Sequence, residues 1–302
     1  MERLRFDKTL SLVSFVHVQS DDYAVLKDSI AESLKMIGFK PAKRIKKIVI
    51  KPNMCYYYHP STGEVTDPYF VAALIDVLRE NIAEESEIFV VESDASAMKC
   101  KYAFSMLGYD KMALEKNVEL VNLCEGKSKA VDIEVNGEKF TFYVNGLFYE
   151  ADLVVNVPKP KYMNDVKITC ALKNMFGCNA YAKKFVYHRA LNEAIVGINK
   201  LIKTDLVVVD GLVVSGKYTK KLNLVMSSVD PVALDAAASR IMGINPKSVK
   251  QIVLASREGL GGLDFSPIGD FSYAERNFPK KRLKDNFREA IASVYLRVMQ
   301  EE

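Results

Sequence analysis

Lysines and amides recur at three places where an anion could be held and worked on: Lys51 with Asn53, Lys159 with Lys161, and Lys173 with Asn174. Residues 151–179, ADLVVNVPKPKYMNDVKITCALKNMFGCN, are too apolar for a solvated basic tail and too rich in lysine for a plain core. A lysine among Ala, Leu, Met and Phe, as Lys173 is, must either snorkel to water or meet an anion. Burial also lowers an ammonium's pKa, so Lys173 could act as a base or as a Schiff-base nucleophile. His188 is the candidate for proton transfer because its imidazole titrates near neutrality. A histidine satisfied within the start of a helix reads equally well there. Glu92 and Asp210 supply the carboxylate side of the same set; with Asp94 they could also hold Mg²⁺ beside a substrate phosphate.

These residues follow apolar runs that read as strands, which is what gives them a common address. Residues 10–18, 47–50, 88–91, 118–121, 153–157, 205–209 and 222–226 are short and rich in Val, Ile and Leu, as strands buried on both faces are. Helical periodicity lies between them at 23–37, 187–202, 231–242, 247–257 and 284–299. Asp67-Pro68 and Asp230-Pro231 open helices, with Asp as N-cap and Pro at the first helical position. Two Asn-Gly signals, 136–137 and 145–146, mark an antiparallel hairpin insertion over 130–149. Alternation of this kind predicts an α/β fold: a mostly parallel sheet of six or so strands, helices on both faces and one hairpin insertion. In such sheets ligands lie outside the carboxyl ends of the strands, where Lys51, Asn53, Glu92, Lys159, Lys161 and Asp210 stand.

The 302 residues suffice for one α/β domain spanning 1–302, built as a single body or as two closely packed lobes. A hydrophobic content of 49% and a charged content of 26% exclude global disorder. The net charge of +4 argues against nucleic acid as the partner; the basic stretch 276–288 lacks the interleaved aromatics that stack bases. No apolar run approaches the ~20 residues that cross a bilayer. The first 22 residues lack a signal-peptide core and cleavage site, so a cytoplasmic protein is expected. The five cysteines, at 55, 100, 124, 170 and 178, contain no C-x-x-C pair. That spacing writes no zinc ribbon and no iron–sulfur site. Cys170 and Cys178 could serve a softer metal, or be small buried hydrophobes in a reducing compartment.

A set of short motifs runs through the chain in order: KPNM at 51–54, TDP at 66–68, VES at 91–93, VPKPK at 157–161, ALKNMFG at 171–177, YH at 187–188, VDG at 209–211 and SVDPVALDA at 228–236. On these motifs the chain resembles, over nearly its whole length, the family called domain of unknown function 362. The resemblance implies the fold above and no defined activity. Many members of that family carry an added ferredoxin-like part with two sets of four cysteines, which this sequence does not contain. The layout is also similar to that of the nickel-pincer lactate racemases; none of His17, His59 and His188 maps onto that family's ligands, so no nickel site is carried over.

The function expected from the residues is therefore an enzyme or binder for a small anionic metabolite, bearing phosphate or carboxylate, in a lysine-rich crevice. A metal- or redox-linked protein without its own cluster is the alternative, and a weak nucleic-acid binder the third. The sequence assigns no cofactor and no oligomeric state.

Overall fold

The computed structural model describes residues 10–41 and 44–281. In chain order the strands are β1 (Ser11–His17), β2 (Lys47–Pro52), β3 (Glu87–Glu92), β4 (Glu119–Asn122), β5 (Ser128–Val135), β6 (Glu138–Asn145), β7 (Leu153–Val157), β8 (Lys161–Met163), β9 (Lys167–Thr169), β10 (Leu206–Ser215), β11 (Thr219–Ser228) and β12 (Phe265–Gly269). The helices are α1 (Tyr23–Met36), α2 (Pro68–Asn81), α3 (Cys100–Met106), α4 (Tyr109–Lys116), α5 (Leu147–Glu150), α6 (Ala171–Met175), α7 (Leu191–Leu201), α8 (Pro231–Ile241), α9 (Lys250–Arg257) and α10 (Phe271–Asn277). The helix expected over 284–299 lies outside the described residues, as does the basic stretch beyond 281.

The main sheet runs β12-β1-β11-β10-β7-β2-β3-β4. Pairings β10·β7, β7·β2, β2·β3, β3·β4 and β1·β12 are parallel, so the sheet is mixed and mostly parallel. Side chains alternate across it. Ile48, Ile50, Val90 and Val155 pack beneath α1, α2, α3 and α4, while Val49, Val91 and Val154 face the layer that holds α6, α7, α8 and α9. Each such aliphatic side chain, fully withdrawn from water, contributes about 1.5–3 kcal/mol. Helix starts follow the local code. Asp67 accepts from the Tyr69 amide ahead of α2, and Asp230 accepts from the Val232 and Ala233 amides ahead of α8.

Two differences from the sequence expectation have plain causes. β10 and β11 read as two more parallel strands but form an antiparallel pair. Only residues 216–218 connect them, far too few for the crossover that a parallel pair needs. The helix expected from residue 187 begins at Leu191; Lys184–Ala190 forms 3-10 turns instead. Ala190, at φ −140° and ψ 54°, separates the two.

The hairpin β5–β6 turns at Asn136-Gly137, both at positive φ, the geometry that a two-residue type I′ turn requires. The second Asn-Gly does other work: the Asn145 Oδ1 accepts from the Leu147 amide at the start of α5. The hairpin is a separate two-stranded sheet packed on α7. The Tyr143 amide donates to Asn179 Oδ1, which fastens it to the chain just beyond α6.

Candidate functional site

β2 passes to β3 on one side, while β7 pairs with its other edge. Chain connections thus diverge between β7 and β2, and the crevice at such a divergence is where open α/β sheets bind ligands. A cavity of about 320 Å³ opens there, beyond the carboxyl ends of β2 and β3.

Its floor is a chain of amides. β2 and β7 are in register at Lys51 and Asn156, so the last residues of the two strands lie side by side. Asn156 Nδ2 donates to the Ala171 carbonyl (2.9 Å), and Asn174 Nδ2 donates to Asn156 Oδ1 (2.8 Å) and to the Lys51 carbonyl (3.1 Å). Asn53 Nδ2 completes the chain by donating to Asn174 Oδ1 at 3.0 Å. Together they pin α6 across both strand ends. Cys170 offers no side-chain cap to α6. Its first amides, Ala171 and Leu172, instead donate to the two carboxylate oxygens of Asp235 from α8, at 2.6 and 3.1 Å. Burial raises the Asp235 pKa to about 7 in spite of those donors. The ALKNM turn therefore stands where it does through a tertiary cap, and it carries Lys173 and Asn174 with it.

Four lysines line the cavity, each in a different state. Lys51 is buried; its Nζ donates to Glu92 Oε2 and to the Pro52 carbonyl, both at 2.7 Å. Glu92 is held in turn by the Ser93 amide. Gly177 lies against this pair: a Cβ there would sit 2.9 Å from Lys51 Cε and 3.0 Å from Glu92 Oε1, so the glycine permits the approach. Lys161 donates to the Glu64 carbonyl at 2.6 Å, with Glu64 Oε2 at 3.5 Å. Lys184 donates to Ser93 Oγ and to the Asp94 carbonyl, both at 2.6 Å, and burial lowers its pKa. The Ser93 hydroxyl in turn donates a hydrogen bond to the Gly177 carbonyl.

Lys173 is different. Among the described residues its ammonium meets no hydrogen-bond or ion-pair oxygen; it lies 4.7 Å over the Phe176 ring. Burial brings its pKa down from 10.5 to about 8, and the charges of Lys161, Lys184 and Lys51 push the same way, against an opposing effect of Cys55. His188 borders the same space, stacked on the exposed ring of Phe185. Burial, and then the Lys173 charge, lower the imidazole's pKa, while Asp165 at 3.8 Å opposes them. The net effect favours the neutral ring. Asn53 adds one more open group, because its Oδ1 is buried and has no hydrogen-bond partner among the described residues.

The structure thus brings Lys51, Asn53, Glu92, Lys161, Lys173, Asn174 and His188 around one cavity. Lys159 and Asp210, expected with them, are outside its lining. Lys159 Nζ points the other way, donating to the Val213 carbonyl at 2.6 Å and lying 3.2 Å from Asp210 Oδ1. Asp210 also accepts from the Asp67 and Leu212 amides. Both side chains are essentially sealed from solvent, and burial lowers the Lys159 pKa against the pull of Asp210. Lys184 is the functional candidate missing from the sequence reading; its signal was the Lys183-Lys184 pair between ALKNMFG and YH.

The carboxylates considered for Mg²⁺ are each already matched with a lysine: Glu92 with Lys51, Asp94 with Lys99, and Asp210 with Lys159. No three His, Cys, Asp or Glu side chains among the described residues group as metal ligands. Cys170 and Cys178 are buried, and burial pushes the Cys178 thiol up to about 12. No helix among the described residues is long and apolar enough to cross a membrane.

Fold and site together define an α/β protein with a cationic cavity at a strand-end divergence. Residues 48–240 match the model of the family described as domain of unknown function, DUF362, and the chain belongs to that family. A thylakoid-associated protein of Synechocystis sp. is 24% identical over 266 residues, covering 82% of this chain and 79% of that one. Among solved structures, the lactate racemase apoprotein of Thermoanaerobacterium thermosaccharolyticum aligns with a TM-score of 0.43 at 16% identity, over 78% of this chain. This chain spans 57% of the racemase's length. A Thermotoga maritima protein aligns with a TM-score of 0.35 at 12% identity, covering 62% of this chain and 50% of that one.

Proposed function

We propose that the protein binds a small anionic metabolite, bearing carboxylate or phosphate, in the cavity beside Lys173. The supporting observation is a mismatch of charge. Lys51, Lys161, Lys173 and Lys184 line the space with Glu92 as the carboxylate of the lining, and the Lys173 ammonium has no oxygen partner among the described residues. A half-buried cation kept apart from carboxylates costs stability, and a ligand anion removes that cost. Lys51 and Lys184, fixed by their own hydrogen bonds, supply field without moving, and α6 presents Lys173 from a rigid base. The volume suits a metabolite at the small end of ligand sites.

The test is a calorimetric titration with inorganic phosphate, propionate and glutarate on the wild-type protein and on Lys173→Met. At least one anion binds the wild type, and its affinity falls about tenfold to a hundredfold in the variant, the cost of one charged hydrogen bond of about 1.5–3 kcal/mol. Equal binding to both proteins contradicts the reading.

A further inference from the structure

The lysines of this cavity are not equivalent as nucleophiles. Lys51, Lys161 and Lys184 each donate to protein oxygens at 2.6–2.7 Å, which ties each head group to the protein. Lys173 lacks such acceptors among the described residues and faces the cavity. The same cavity is lined by His188, whose neutral form is favoured, and by Asn53, whose buried Oδ1 has no donor among the described residues. A single anion-binding lysine needs neither of these. An amine that adds to a carbonyl can use both: a base to carry its proton, and an acceptor for the hydroxyl group that the addition creates.

We infer that Lys173 condenses with the carbonyl of a short oxo acid, forming an imine, while the neighbouring lysines hold the acid's carboxylate. This rests on the anion reading of the same cavity and names its substrate class. In the step, the Nζ lone pair forms the new C–N bond, the carbonyl π electrons move onto oxygen, and the first of the two amine protons passes from nitrogen to that oxygen. The resulting hydroxyl donates to Asn53 Oδ1. His188 removes the second proton from nitrogen and returns it to that hydroxyl; the C–O bond breaks and one water leaves as the C=N bond closes. No oxidant or reductant enters. The pKa of about 8 at Lys173 leaves a useful fraction of free amine near neutrality.

The experiment uses the full chain with pyruvate or 2-oxoglutarate and sodium borohydride, read by intact mass and peptide mapping. A mass gain equal to the oxo acid less one oxygen atom, located on Lys173 and lost in Lys173→Met, is expected. The yield should climb between pH 6 and pH 8 as the amine is freed and should fall when propionate or glutarate, the carbonyl-free counterparts, compete. Modification spread over surface lysines, or equal in the variant, overturns the inference. Calorimetry with propionate and glutarate separates the two failures: binding without an adduct on Lys173 removes the imine and leaves the anion site, whereas absence of both removes both. His188→Gln slows adduct formation at least tenfold; an unchanged rate contradicts the role given to His188.

Discussion

Two lysines downstream of β7, Lys159 just after it and Lys173 on α6, have opposite fates. Lys159 is sealed with Asp210 among backbone donors and acceptors, its charge answered within the protein. Lys173 stands at the cavity with its charge unanswered among the described residues. The contrast separates a lysine paired within the protein from one that is not: the difference is a protein oxygen within reach of the ammonium. A closed pair stabilises by mutual compensation, and removing one partner strands the other.

Breaking the closed pair carries the largest expected effect. Asp210→Ala leaves the buried Lys159 ammonium with the Val213 carbonyl alone and lowers unfolding stability by about 3–5 kcal/mol, measured by urea denaturation. Next comes Lys173→Met, the opposite case. Stability is unchanged or raised while anion affinity falls tenfold to a hundredfold, so melting curves and titrations move in different directions. A loss of stability in this variant would mean that Lys173 is a second closed pair.

Gly177→Ala sharpens the comparison at the join between the two kinds of lysine. Its Cβ meets Lys51 Cε and Glu92 Oε1 at 2.9–3.0 Å, so the buried pair must shift. The expected cost is about 1–3 kcal/mol of stability with weaker anion binding, both visible by thermal denaturation with and without ligand.

The pH dependence of Lys173→Met is the finest test. Lys173 holds its proton to about pH 8 when folded and to 10.5 when unfolded. Between those values the unfolded state binds more protons, so stability contributed at this site rises with pH. Below pH 8 both states are charged and the burial cost is fully present. The variant, free of that cost, therefore exceeds the wild type most below pH 8, and the gap closes toward pH 10.5. A gap independent of pH would show that Lys173 is solvated like an ordinary surface lysine.

Much of the scaffold was legible because local rules decided it. Asp67-Pro68 and Asp230-Pro231 open helices as N-cap chemistry demands, the Asn136-Gly137 turn closes its hairpin, and β7 spans Leu153–Val157 as its apolar run indicates. The direction of β11 was carried by the length of a connection rather than by the strand itself, since its apolar run alone fits either orientation. Around the cavity, strand-end position brought Lys51, Asn53 and Glu92 into view, but it gave the same rank to Lys159 and Asp210. Which way a side chain turns after a strand depends on the partner opposite, and the Val213 carbonyl and the Asp67 amide are remote in sequence. Lys184 is hidden in the sequence for the same reason: its distinction is its bond to Ser93, ninety-one positions away. Asp235, read as one residue of a helix motif, proves to be the cap of a different helix.

The most direct test of the central claim is the titration of the Lys173 ammonium itself by nitrogen-15 NMR, in the free protein and with saturating propionate, glutarate or phosphate. The account predicts a pKa of about 8 in the free protein that rises when the anion is bound. A value near 10.5 that no anion moves would contradict it.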